Sequence, residues 1–364
     1  MTKRAILLLE DGSIFEGQSI GSEASICGEV VFNTSMAGYQ ELLTNPTNAG
    51  QIIVMTYPLI GNCGINQNDF ESLHTHASGL VAHEICDRPS NYQCQMPLPD
   101  YLKKEGIAAI TGLDTRAITR NIQSKGVMKG IITSTLTPQE AFAMMQIAPK
   151  YDDIDFAKDS STKESYDFTQ QKITAKETIA IIDFGCPNSL LKAIERLGYY
   201  VKVLPCTTTA KEVLSLNPSV VFLSPGPGNP AKLEYAVYSL RGIIGYKTII
   251  GMGLGHQLVA QAFGGKTFKL KFGHRSSNQP VREVSSGKVF ITSQNHGYAV
   301  DPDNIASDLE ITQINLNDQT IEGLRHKVLP IASVQYIPDT VNSALDGVSD
   351  FERFMKAMTI VSEG

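Results

Sequence analysis

The chain has 364 residues, 42% of them hydrophobic and 19% charged, and a formal net charge of −6. That length suits two domains with full cores, and the composition is ordinary globular, far from that of disordered chains. The acidic balance argues against a large nucleic-acid-binding surface, and no apolar run of about 18 residues is present to form a transmembrane helix.

The first apolar run, Ala5 to Leu9, is broken at once by Glu10-Asp11-Gly12. It is too short for a signal sequence and reads as a strand and its turn. Six cysteines (Cys27, Cys63, Cys86, Cys94, Cys186 and Cys206) are scattered without C-x-x-C spacing. They predict reduced thiols in a cytoplasmic protein, with no disulfide framework and no metal site. Up to about residue 150 short β-rich runs alternate with turns, at Val30–Phe32, Ile52–Met55 and Gly79–Ala82. Thr137-Pro138-Gln139-Glu140 has the pattern of a capped helix start, with proline at the first position and a glutamate that caps in return. Residues 151–176 turn polar and weakly patterned, and are expected to form a linker or an extended surface segment.

From about residue 177 strands and helices alternate. Strands are expected at Thr178–Asp183, Tyr200–Leu204 and Ser219–Leu223, and helices at Leu190–Leu197 and Ala210–Leu216. This rhythm predicts a parallel, doubly wound sheet, which binds ligands beyond the carboxyl ends of its strands. Two glycine-rich loops fall at such ends: Ser224-Pro225-Gly226-Pro227-Gly228, and the stretch after Thr248-Ile249-Ile250. The second reads Gly251-Met252-Gly253-Leu254-Gly255, with a helix expected from His256. Strand, sharp turn and helix make the context of a nucleophile elbow, G-x-Nuc-x-G, with glycine where the nucleophile belongs. Hairpin spacing follows from about Val289, and Phe351–Ile360 is expected to close the chain as a helix.

Four segments in order, Asp183-Phe184-Gly185, Leu223 to Pro230, Gly251 to Gln257 and Gln294-Asn295-His296-Gly297-Tyr298, resemble a class I (triad) glutamine amidotransferase domain. Val31 to Glu41, Thr56 to Asn62 and Gly112 to Arg116 are similar to the N-terminal domain of the carbamoyl-phosphate synthase small-subunit family. The resemblance implies an N-terminal mixed α/β domain (1–150), a linker (151–176) and an amidotransferase-like domain (177–364). It also implies a large-subunit partner that uses ATP and bicarbonate to make carbamoyl phosphate for arginine or pyrimidine biosynthesis. No cofactor is implied for this chain itself.

In that family a cysteine thiolate, a histidine and a glutamate hydrolyse glutamine. A thiol with an ordinary pKa of about 8.5 needs such a base beside it at neutral pH. Here the three positions are Gly253, Ile337 and Asp339, and the last cysteine is Cys206 and the last histidine His326. No catalytic residue is therefore expected, and glutamine hydrolysis by the covalent route is not. The family's glutamine-holding positions map onto Ser35, Gly226, Gly228, Leu254, Gln257, Asn295, Gly297 and Tyr298, all retained in type. His256 reads as a buried helix residue, and His296 as a poor base without a partner. The loop His274 to Gln279 also departs from the family pattern, which favours gradual decay of the site over a single replacement. Two functions follow as expectations: a small subunit that supplies no ammonia from glutamine, or a pseudo-amidotransferase that senses L-glutamine and regulates a partner.

Overall fold

The computed structural model describes residues 3–169, 177–338, 351–352 and 354–355. The chain divides into two compact units, Met1–Ile154 and Asp155–Gly364.

The first unit is built on a closed barrel. Its seven strands are β1 (Lys3–Leu9), β2 (Ile14–Ser19), β3 (Ile26–Asn33), β4 (Gln51–Met55), β6 (Gly79–Val81), β8 (Ala108–Thr111) and β9 (Met128–Thr133). A small parallel pair, β5 (Leu59–Ile60) and β7 (Glu84–Ile85), stands beside them. Period-two alternation divides β3, β4, β6 and β8 between two cores. Leu7, Leu9, Val30, Phe32, Ile52 and Val54 pack in one cluster, whereas Val31, Ile53, Met55 and Leu80 pack under α1 (Tyr39–Thr44) and α2 (Leu98–Lys104). Because both faces are covered, these strands read as unbroken apolar runs, which hides the barrel from the sequence. Helix α3 (Thr115–Lys125) contributes Ile118 and Ile122 to the first cluster. Helix α4 (Pro138–Ile147) opens on the expected capping box: Thr137 accepts from the Glu140 backbone, and Glu140 accepts from that of Thr137. It buries Ala141 and Met145 against Leu8 and Ile131.

The second unit contains a ten-stranded sheet among the described residues. Part of the segment expected as linker belongs to it, as α5 (Phe156–Ser160) and the edge strand β10 (Tyr166–Asp167), which pairs with β12; its residues 170–176 lie outside the described residues. The parallel centre is formed by β11 (Thr178–Asp183), β12 (Tyr200–Pro205), β13 (Val220–Leu223), β14 (Thr248–Met252) and β19 (Ile331–Val334), in the order β12-β11-β13-β14-β19. Helices cover both faces. Ala180, Ile182, Val221, Leu223 and Ile249 meet α7 (Ala210–Ser215), α8 (Glu234–Ile243) and α9 (Leu254–Ala262), while Ile181, Val203, Phe222 and Met252 meet α6 (Asn188–Arg196), Phe351 and Met355. This is the doubly wound arrangement that the β-α rhythm predicts. The rest of the expected closing helix, 356–360, lies outside the described residues.

Beyond β19 the sheet continues antiparallel through β18 (Ile321–His326) and β17 (Leu309–Asn315) to the long β15 (Thr267–Glu283) and β16 (Val289–Val300). Two register shifts interrupt the β15–β16 ladder, between Lys269 and His274 and between Ser276 and Gln279. Such bulges re-aim side chains, and the polar cluster described below lies between and beside them.

Candidate functional site

The order β12-β11-β13 reverses direction at β11, and the loops after β11, β13 and β14 leave the carboxyl ends of adjacent strands. After β11, Asp183 is buried and its carboxylate accepts from the backbone N–H groups of Gly185 (2.9 Å), Cys186 (2.8 Å) and Thr162 (2.7 Å). Burial nevertheless raises its pKa, against those bonds. After β13, the buried Ser224 hydroxyl accepts from the Phe184 N–H at 2.8 Å and donates to the Pro225 carbonyl at 2.7 Å, tying the two loops together. A Cβ on Gly226 would stand 2.4 Å from the Phe184 carbonyl oxygen and 2.8 Å from Leu254, so only glycine fits the cradle. Gly228 follows with φ of 91°.

The elbow keeps its backbone. Gly253 has φ of 54° and ψ of −113°, a conformation that strains any residue with a side chain. Its N–H donates to the Val334 carbonyl (3.0 Å), while its own carbonyl accepts from His256 (3.1 Å) and Gln257 (3.3 Å). Helix α9 starts at Leu254, two residues before the expected His256, because these bonds begin the helix at the elbow itself. Gly255 permits the crossing of helix and strand, since a Cβ there would lie 2.3 Å from the Leu223 carbonyl oxygen. A Cβ on Gly253 has room by comparison, 3.3 Å from Pro225 Cβ and 3.8 Å from the Gln335 carbonyl oxygen. The chain leaving β19 thus passes the elbow and reaches Ile337, half-buried and bridged to Ser293. Ile337 offers no atom that accepts a proton. Asp339 lies outside the described residues.

Of the expected glutamine-holding residues, Gly226, Leu254, Gln257 and Tyr298 are linked through contacts. Gln257 is buried, and its amide donates to the Tyr298 carbonyl (2.7 Å) and to Gln335 Oε1 (3.0 Å). The side chain therefore braces the turn with its donors instead of presenting them to a ligand. Asn295, Gly297 and Tyr298 follow one another on β16, with Asn295 opposite Arg275 and Gly297 close against the Arg275 guanidinium. Ser35 belongs to the first unit, where its N–H donates to Asn33 Oδ1 at 2.8 Å.

Cys206, His256, His274 and His296 are each held by hydrogen-bond partners. Burial raises the Cys206 thiol, which touches the Tyr235 hydroxyl at 3.6 Å. His256 is fully buried on Ser333 Oγ at 2.9 Å, and burial lowers it to about 3. His296 is held well below its usual range by burial and by the neighbouring His274, and both its ring nitrogens have partners, the Tyr298 carbonyl (2.8 Å) and Gln294 Oε1 (2.9 Å). His274 contacts the same Gln294 Oε1 at 2.9 Å and Asp318 Oδ2 at 2.8 Å. Burial opposes its charge, but Asp318 and Glu322 outweigh that and raise it to about 9. The sequence reading missed this cluster. Its one local signal is Glu322, an acid inside the apolar strand Ile321 to Leu324, and wholly buried.

Comparison with known proteins agrees with the geometry. Residues 7–132 match the profile of the carbamoyl-phosphate synthase small chain, CPSase domain, and residues 180–357 that of glutamine amidotransferase class-I. Proteins named carbamoyl phosphate synthase small chain from Syntrophotalea carbinolica (45% identical, 98% of each chain covered), Akkermansia muciniphila (44%, 97% of each) and Listeria monocytogenes (43%, 100% of this chain and 99% of that one) align along the whole sequence. Among solved structures, a glutamine amidotransferase from Thermotoga maritima is 16% identical, covering 44% of this chain and 74% of its own, with a TM-score of 0.36. With both domains matched in order and full-length relatives well above 40% identity, the chain belongs to the carbamoyl-phosphate synthase small-chain family.

Proposed function

We propose that this chain is a carbamoyl-phosphate synthase small subunit whose own glutaminase site is silent. It docks to a large subunit, which binds ATP and bicarbonate and draws ammonia from solution. One observation carries this reading: at Gly253 the elbow retains its backbone conformation but has no atom beyond Cα from which a thioester could form. Removing such a nucleophile costs roughly 10⁶ in rate. Ile337 supplies no base; burial keeps Cys206 as the thiol, and His256 and His296 are too weakly basic to hold a proton taken from one.

The glycine cradle at Gly226 and Gly228 and the Asn295–Tyr298 turn support weak binding of L-glutamine without turnover. Individual hydrogen bonds contribute only about 0.5–1.5 kcal/mol net, so a millimolar-range affinity is expected. The deciding experiment mixes this chain with its large subunit and compares carbamoyl phosphate formed from glutamine and from ammonium. Formation from ammonium alone supports the reading. A glutamine-dependent rate abolished by a thiol alkylator overturns it.

A further inference from the structure

Two histidines, an aspartate and a wholly buried glutamate converge around the side-chain amide of Gln294. Thr292 Oγ1 donates to the Gln279 carbonyl at 3.0 Å, so it accepts from the Gln294 amide, also at 3.0 Å. In this orientation Gln294 Oε1 faces His274 Nδ1 and His296 Nε2, both at 2.9 Å; turned over, the amide would donate to both ring nitrogens and accept from Thr292. The outer ring nitrogens face acceptors: His274 Nε2 meets Asp318 Oδ2 at 2.8 Å, and His296 Nδ1 meets the Tyr298 carbonyl at 2.8 Å. Two neutral imidazoles carry one ring proton each.

The outer bonds settle where those protons sit. A carboxylate and a backbone carbonyl only accept, so His274 Nε2 and His296 Nδ1 are protonated, and each ring when neutral turns its inner lone pair toward Gln294. Glu322 lies beside them. It is 0% exposed, its Oε1 lies 3.7 Å from His274 Nδ1 and accepts from Asn315 at 3.0 Å, and its Oε2 has no hydrogen-bond partner. A proton on His274 offsets the Glu322 charge but leaves Glu322 Oε2 without a partner. Protons on both rings would place two imidazolium ions with centroids 4.9 Å apart beside the buried Arg275. A single divalent cation would take one lone pair from each ring together with a Glu322 oxygen.

We propose that His274 Nδ1, His296 Nε2 and a Glu322 carboxylate oxygen bind a zinc-type divalent cation, with Gln294 Oε1 or a water completing the shell. The donor atoms of the three ionisable residues lie within 4.8 Å of one another. Zinc–ligand bonds of about 2.0–2.2 Å require donors roughly 3.3 Å apart in a tetrahedron, so the widest pair closes by about 1.5 Å on the metal. Two imidazoles with a carboxylate are a common zinc donor set. The outer contacts match what metal-bound histidines generally have, one ring N–H on a carboxylate and the other on a backbone carbonyl. Asp318 and Glu322 together offset the ion's charge and that of Arg275. The ion would pin β15, β16 and β18 to one another, immediately beside Asn295 and Tyr298. This makes it a structural clamp under the turn, independent of any glutamine chemistry.

The test uses the full-length chain without an affinity tag, purified without chelators, and measures zinc by elemental analysis together with thermal stability. About one zinc per chain is expected, with a midpoint that falls by several degrees on chelation and recovers when Zn²⁺ is added back. Co²⁺ substitution should give the intense visible bands of a tetrahedral site. Glu322→Gln, which preserves shape, and His296→Asn should each lose the metal and the zinc-dependent shift. If either variant fails to fold, the Co²⁺ spectrum and stoichiometry of the parent chain decide. A parent chain with neither zinc nor a response to Zn²⁺ overturns the proposal. So does zinc retained at parental level in both folded variants, which would mark an adventitious ion only.

Discussion

The elbow at Gly253 and the cluster around Gln294 belong to the same unit and relate backbone to side chain in opposite ways. At the elbow the backbone is complete, and glycine stands where a nucleophile elbow carries its reactive side chain. The φ of 54°, the bond to Val334 and the tight crossings at Gly226 and Gly255 all persist without a thiol to hold. At the cluster the side chains are chemically rich, but the strand segments that carry them are interrupted by two register shifts. The contrast teaches that a turn held by main-chain hydrogen bonds and by glycines pressed against carbonyl oxygens keeps its shape without a reactive side chain. A site made of titratable side chains depends instead on every partner being present.

The sharpest way to break that comparison is to give the elbow its chemistry back. Gly253→Cys, Ile337→His and Asp339→Glu together should raise glutamine hydrolysis by at least about 10³-fold over the parent, part of the roughly 10⁶ that loss of a nucleophile costs. Gly253→Cys alone should stay at background in a glutamate-release assay, because no base stands beside it. Steady turnover by the single variant would mean that another group activates the thiol, and the elbow would not be silent for want of side chains.

Next in size is the backbone fit. Gly255→Ala forces a Cβ to within 2.3 Å of the Leu223 carbonyl and should lower stability by about 3 kcal/mol in denaturant titration. Gly253→Ala meets only Pro225 at 3.3 Å, so it should lose about 1–2 kcal/mol, chiefly from its positive φ. Equal losses at the two sites would show that strain, and not the close crossing, dominates the elbow.

The effect that is smallest near neutral pH, and grows only as the pH falls, concerns protonation. His256 is neutral in the fold, its pKa lowered by burial from 6.5 to about 3. Below pH 6.5 the unfolded chain takes up a proton that the folded chain refuses, so stability is full above that pH and falls as the pH drops toward 3. His256→Asn should flatten this part of the stability profile while lowering its plateau, because the bond to Ser333 is lost. A variant whose profile keeps the parental slope would assign the acid sensitivity to other groups.

Much of this was legible because local patterns coincide with tertiary ones. The strand Thr178–Asp183, the capping box at Thr137, the glycine loops and the missing nucleophile can all be read from neighbouring residues. The barrel of the first unit could not be read in the same way. Its strands β3, β4, β6 and β8 are buried on both faces, so their alternation disappears, and closure depends on pairing β1 with β9, strands more than a hundred residues apart. The role of Gln257 shifted for a similar reason. Its type suits ligand binding, but contacts with Tyr298 and Gln335, distant in sequence, claim its donors.

By itself, then, the sequence determined the order of the two domains, the parallel alternation in the second and the absence of a thiol at the elbow. Each of these depends on residue identity and spacing along a short stretch of chain. Tertiary structure alone decided which polar groups share one buried space. His274, Gln294, His296, Asp318 and Glu322 come from three strands and a loop, and only the folded register of β15, β16 and β18 brings their acceptors and lone pairs face to face. Hydrogen bonding acts over about 3 Å in space, whatever the separation along the chain, so no spacing rule could have shown that these groups must be satisfied together.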